Sequence, residues 1–292
     1  MYRVDIPIQL HQSINLITLL IMGGIWGNFY LNFIDMISII LYALMVEHTL
    51  LYLNPNRRFY ISYSSISTAV GVIFLAYSNS IWKYYLIILL GLLQKHFMGV
   101  GGKHLFNPSN FAIVVGMLLF YEDIHIISGQ FGDSLIFSVV VSILASIILV
   151  RVDRWIISLS FIVGYIILQY NLLIYYDPTL SIDMIYRRFY SISLMLFIYF
   201  MLTDPAITPS KKGHQALFGV NLALITTILD KFYNFRVQHI FISLFILSPS
   251  VIILSSKLNK RDKIISLIAI IFIITVVITI ENRPPYYIEM EG

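Results

Sequence analysis

The residues able to do chemistry in this chain gather in two short stretches. The first is Gly99 to Val114, GVGGKHLFNPSNFAIV, which holds Lys103, Asn107, Ser109 and Asn110. The second is Met201 to Val220, MLTDPAITPSKKGHQALFGV, which holds Thr203, Asp204, Thr208 and His214. Asn107-Pro108 reads as a helix start, because Asn caps well and Pro suits the first turn. The free N–H groups and positive dipole end of such a helix can hold an anionic or carbonyl group. Pro205 pushes Asp204 out of helical geometry. Its carboxylate then either satisfies the turn's own N–H groups or partners a cation or proton at the mouth of a pathway. Lys103, Lys211 and Lys212 serve either as orientation signals or as a clamp for a phosphate.

A second set lies inside apolar runs. Glu47, beside His48 in LMVEHTLL, sits within or near the end of one such run, where an ionisable residue is a functional hypothesis by default. Ser64 and Thr68 are one helical turn apart and can hydrogen-bond within their helix. Glu47, Ser64, Thr68 and Asp204 are thus candidates for an ion or substrate path. Lys95 and His96 fall within a turn of their run's end and are read as snorkelling to the headgroups. Asp35 reads as a charge at a helix N-terminus. His11, His125 and His239 carry no metal-ligand spacing, and no hydrolytic or transferase constellation is visible.

The elements that must position these residues are set by composition. The chain has 292 residues, 59% hydrophobic and only 12% charged, where a soluble domain is about half apolar and a quarter charged. That makes it an integral membrane protein. Met1 to Ser13 lacks a small-residue cleavage pattern, so no signal peptide is expected. With no cysteine, the chain itself offers no disulfide, thiolate zinc site or iron–sulfur ligand. A net charge of +4 spread over many loops does not suggest nucleic acid.

A spanning helix needs roughly 20 mostly apolar residues. Such runs fall near 14–31, 34–53, 61–77, 81–97, 107–121, 134–150, 155–174, 189–203, 215–230, 238–255 and 264–280, so the expected fold is an all-α polytopic membrane protein. Trp82, Tyr84, Tyr85, Trp155, Tyr175 and Tyr176 gather at run ends, as suits the headgroup boundary. With the N-terminus cytoplasmic, the inner loops hold Arg3, Arg57, Arg58, Lys95, Lys103, Arg151, Arg154, Lys211, Lys212, Lys257, Lys260, Arg261 and Lys263. The outer loops hold Lys83, Arg187, Arg188, Lys231, Arg236 and Arg283. This bias places the two polar stretches on the inner face and the tail ENRPPYYIEMEG outside.

The runs at 107–121, 189–203 and 215–230 are short and border Gly/Pro-rich loops. Backbone without helical hydrogen bonds cannot face lipid, so these loops are expected to line a protein-enclosed site. NPSNFAIV at 107–114 is echoed by SPSVIIL at 248–254. Two related halves, about 13–121 and 134–255, would each hold five spans and so be inverted in the membrane.

The two stretches also resemble a known family. GVGGKHLFNPSNFAIVV is similar to a glycine-rich loop followed by F-N-P-A, and FMLTDPAITPSKKGHQALFGV to an F-x-x-T-D-P loop ending in F-G. Both belong to the RnfD/NqrB family, the large membrane subunits of the Rnf electron-transport complex and of the sodium-pumping NADH:quinone oxidoreductase. The resemblance covers roughly residues 10–255, with 256–292 an added C-terminal helix and tail. It implies ten helices in two inverted five-helix halves, similar to urea channels. It also implies FMN or riboflavin, electron transfer coupled to ion movement, partner subunits of a redox complex, and the plasma (inner) membrane. The family's flavin-bearing threonine lies in an S-G-A-T-type signature between the fifth and sixth spans. This chain has YEDIHIISGQFGDS there, without threonine, and YSISLMLF at 190–197 departs from the family's other small-residue run. Non-covalent flavin is therefore expected, held by the site residues of the two stretches. The competing expectation is a stand-alone transporter or channel for a small solute, flavin included, without redox chemistry. A purely structural partner subunit is a third.

Overall fold

The computed structural model describes residues 7–27, 29–54, 60–127, 135–175 and 192–283. Arg3, Arg57, Arg58, Arg187, Arg188, Tyr176, residues 128–134 of the loop compared with the flavin signature, residues 190–191 and the tail from 284 lie outside them. Within them the chain is helical, with two-residue ladders and no closed sheet. The helices are α1 (Ile8–Trp26), α2 (Phe33–Leu53), α3 (Ser64–Leu75), α4 (Ile81–Phe97), α5 (Pro108–Leu119), α6 (Leu135–Val152) and α7 (Trp155–Tyr175). They continue with α8 (Ile192–Leu196, extended by a π-helical Phe197–Met201), α9 (Lys212–Tyr233), α10 (Gln238–Ser255) and α11 (Lys260–Glu281). Six of these, α1, α2, α7, α9, α10 and α11, are long and apolar enough to cross a membrane by length and composition.

The burial pattern is that of a chain solvated by lipid. On α11 the buried residues Asp262, Ser266, Ala269, Ile273, Val276 and Ile280 recur every three or four positions. The opposite face exposes Ile264, Leu267, Ile268, Ile271, Ile274 and Ile278. The polar Asp262 and Ser266 thus face the bundle together with part of the apolar set, while the outward face is largely apolar, the reverse of a helix in water.

Two short helices occupy the centre. α3 and α5 have 12 residues each, so each is about 18 Å long against a hydrocarbon core of about 30 Å. All of Pro108–Met117 is buried. The pair runs side by side, with Ser109 Oγ donating to the Thr68 carbonyl at 3.2 Å. At one end their chains close through a ladder of β1 (Ala76–Tyr77) with β4 (His125–Ile126). At the other, the chain before α5 folds into a hairpin of β2 (Gly99–Val100) and β3 (Lys103–His104). Its turn residues Gly101 and Gly102 have φ of +59° and +80°, a two-residue hairpin conformation open to glycine and strained for most other residues. Gly101 and Gly102 are therefore turn residues.

Glycine also lets helices approach. A Cβ on Gly91 of α4 would lie 2.5 Å from the Pro108 carbonyl oxygen. A Cβ on Gly219 of α9 would collide with Ser160 Oγ and lie 2.6 Å from the Ile157 carbonyl oxygen on α7. Close backbone approach at small residues is how helices pack where lipid gives no hydrophobic drive between them.

The structure differs from the sequence reading in several places. α1 begins at Ile8 and ends at Trp26, a shift from 14–31, because Gly27 closes the helix before Asn32 caps α2. α9 begins at Lys212, since the polar KKGH stretch forms its first turn. Pro249 lies inside α10, whereas Pro108 opens α5, so the NPS/SPS echo does not mark equivalent positions.

Candidate functional site

The basic end of the bundle is assembled by side-chain contacts. Arg151 reaches His11 at 2.7 Å, Arg154 Nε donates to Thr208 Oγ1 at 3.2 Å, and Lys212 pairs with Asp153. These bonds bring the start of α1, the α6–α7 turn and the start of α9 to the same side as the β2–β3 hairpin.

There the two polar stretches meet. Asn107 caps α5, its Oδ1 accepting from the Asn110 N–H at 3.1 Å, while its Nδ2 donates to Asp204 Oδ2 at 3.1 Å. The other Asp204 oxygen accepts from the Ala206 N–H at 2.9 Å, and Thr208 Oγ1 donates to the Asp204 carbonyl at 2.7 Å. His104 Nε2 stands 3.7 Å from Asp204 Oδ2. Asp204 lies in the loop between α8 and α9. Burial pushes its carboxyl up, but His104, the Ala206 N–H and the Asn107 amide outweigh this and hold it below the usual aspartate value. Asp204 is therefore both a turn former and a partner of Asn107.

Behind this contact lies a cavity of about 840 Å³, bounded by α1, α2, α3, the end of α4, the start of α5, α6, α8 and the start of α11. Ser64, Thr68, Lys103, Asn107, Ser109, Thr203 and Asp204 line it. Its apolar wall includes Leu16, Phe74, Phe200 and Met201. Thr203 Oγ1 donates to the Tyr199 carbonyl, and Thr68 Oγ1 to that of Ser64. The remaining candidates point elsewhere. Asn110 Nδ2 donates to the Phe241 carbonyl on α10 at 3.1 Å, so it ties helices together. Thr208 and His214 line a second cavity of about 370 Å³. The single site expected from the two stretches is thus two cavities, with Lys103 lining both.

Lys95 and His96 do not snorkel. Both line the larger cavity and turn inward to Glu47, which is fully buried. Lys95 Nζ lies 2.5 Å from Glu47 Oε1 and donates to Ser64 Oγ at 2.6 Å. His96 Nε2 lies 3.1 Å from Glu47 Oε2, and Ser62 Oγ donates to Oε1 at 3.1 Å. A buried carboxylate draws its counter-charges to it, because a charge left unpaired there costs far more than the lost hydration of a lysine near the headgroups. His48 is occupied separately, its Nε2 accepting from the Ser62 N–H at 3.3 Å.

One cluster escaped the sequence reading. His239 is fully buried, its Nδ1 2.6 Å from Asp230 Oδ1 and its Nε2 3.1 Å from Glu281 Oε2. Gln169 donates to Asp230 at 2.6 Å, and Arg236 Nη1 lies 3.6 Å from Glu281. Asp230, His239 and Glu281 each sit at the end of an apolar run, where they look like boundary groups. Only the fold brings α7, α9, α10 and α11 together. No group of three or more His, Cys, Asp or Glu side chains able to hold a metal occurs among the described residues.

The fold and the cavity define the class: an all-α, multi-pass membrane protein with polar sites buried in its bundle. No known protein-family model matches the chain, and no curated protein matches it.

Proposed function

We propose that this chain is a membrane protein of RnfD/NqrB type that holds a flavin non-covalently in the larger cavity and takes part in electron transfer coupled to ion movement. The observation that carries this reading is the Asn107–Asp204 contact at the edge of a cavity of about 840 Å³, within the range of about 300–1,000 Å³ typical of cofactor sites. The residues present suit a flavin. Phe74, Phe200 and Met201 offer an apolar wall for a planar ring system. Lys103 offers a cation for a phosphate. His96 Nδ1 is buried beside the cavity without a hydrogen-bond partner, so it is free to bond a ligand's polar edge. A bound flavin would supply reversible one- and two-electron chemistry. The protein's own groups orient it, exclude water and set the local charge.

In this reading the ten spans form two inverted halves, with the N-terminus and the basic end cytoplasmic. Glu47, Ser64, Thr68 and Asp204 flank the ion path. Partner subunits would deliver and remove electrons.

A second reading is passage of a small solute without redox chemistry. It is favoured by the shortness of α3 and α5, which leaves their N-terminal ends on a polar-lined cavity inside the bundle. The two readings separate on purification. The protein extracted in mild detergent should show flavin absorbance that is released on denaturation, and no fluorescent band at its own mass on a denaturing gel. A band at that mass would contradict the non-covalent site. Absence of flavin, together with no uptake of added FMN or riboflavin, would favour the solute reading.

A further inference from the structure

We infer that the second cavity is a binding site for the headgroup of an anionic phospholipid, with an acyl chain lying along the exposed face of α9. This cavity, about 370 Å³, lies beside the hairpin and is separate from the proposed flavin site except for Lys103. Its lining divides by chemistry. Lys103, Lys211 and His214 are exposed, and no acidic residue lines the cavity. The neighbouring basic groups are already engaged, Lys212 with Asp153 and Arg154 with Thr208. Lys103, Lys211 and His214 make no ion pair with any described residue. Thr208, Ser210, Asn221 and Ser255 add neutral polar groups, and the deeper wall is apolar: Phe218, Leu247 and Ile252 are buried, and Val251 is half-buried.

Charge complementarity selects the occupant. A free inorganic anion would be satisfied by the cations but would gain nothing from Phe218, Leu247 and Ile252. A neutral lipid would fill the apolar part and leave Lys103 and Lys211 without a counter-charge. An anionic phospholipid satisfies both halves. Basic pockets between helices near the membrane surface bind such headgroups. The first turn of α9 contains no acidic residue, and its N-cap Lys211 makes no side-chain cap, so the local helix charge favours an anion as well. From the cavity, Leu217, Leu224 and Ile228 form an exposed apolar stripe along α9, recurring at helical spacing, on which a chain can lie.

The test uses the full-length protein in detergent, with native mass spectrometry counting retained phosphatidylglycerol against phosphatidylcholine. The wild type should retain phosphatidylglycerol preferentially. Each of Lys103→Gln, Lys211→Gln and His214→Gln should lower that preference, by up to about fivefold per full charge removed. The exposed pair Lys257→Gln and Lys260→Gln, at the same end but outside the cavity, should leave it unchanged. Val251→Trp, which fills the cavity and keeps its charge, should abolish retention. Equal retention of the two lipids by the wild type would overturn the inference. So would an equal loss in the Lys257/Lys260 control, or displacement of the lipid by inorganic phosphate at comparable concentration. Flavin content does not enter this readout, so it stands or falls apart from the proposed function.

Discussion

Three groups share the carboxylate of Glu47: Lys95, His96 and Ser62. Removing one side of such a buried pair exposes the other to an apolar interior, at a cost of about 3–5 kcal/mol, whereas removing both is often close to neutral. Glu47→Gln should therefore lower the thermal transition in detergent sharply, and Glu47→Gln with Lys95→Met should recover much of it. Unfolding curves of the two variants check this. A double variant as unstable as the single would mean that the pair is not the origin of the loss. At the loop contact, Asn107→Ala removes the hydrogen bond to Asp204 and the cap of α5. Each bond is worth about 0.5–1.5 kcal/mol, so flavin affinity should fall up to about tenfold while the protein stays folded, as a fluorescence titration would measure. Asp204→Asn keeps the shape and removes the charge. Because folding lowers the Asp204 value, the stabilisation from its ionised form is complete above the ordinary carboxylate value of about 3.9 and is lost as the pH falls through the lowered one. The wild-type titration should thus be insensitive to Asp204 between pH 7 and about 5.

The elements owe their places to glycine and to length. Gly219 allows α9 to touch the backbone of α7, and the atoms its Cβ would meet include the Ile157 carbonyl and the Phe161 N–H, which cannot rotate aside. Gly219→Ala should cost about 1–3 kcal/mol by overpacking. Gly213→Ala, with nothing within 4 Å of the added Cβ, should be nearly neutral, and paired thermal melts would show the difference. Much of this level was legible in the sequence. Every apolar run contains a helix among the described residues, and the helix start at Asn107-Pro108 and the turn at Asp204-Pro205 follow from local backbone chemistry. What was not legible is which side a charge takes. Lys95 could reach either the headgroups or the interior, and the choice depends on Glu47, 48 positions away. The Asp230–His239–Glu281 cluster was hidden for the same reason, because its members are joined only by packing.

At the scale of the whole molecule, polar groups gather at both ends of an otherwise lipid-facing bundle, and the basic end carries both cavities. In the proposed orientation, the excess of Lys and Arg puts that end in the cytoplasm. The chain has no cysteine, so a single Ser210→Cys should resist a membrane-impermeant thiol reagent in intact cells and react after permeabilisation. Labelling in intact cells would invert the orientation. The central claim is that the larger cavity holds the flavin, and a cysteine inside it tests this most directly. Ser67 lines that cavity and is half-buried, so Ser67→Cys should react with a small thiol reagent in the purified, flavin-stripped protein. Added FMN should slow that reaction in proportion to its occupancy and leave a cysteine at Ser250, on α10 and outside the cavity, unaffected. A Ser67→Cys labelling rate that stays constant at FMN concentrations saturating the protein would contradict the account.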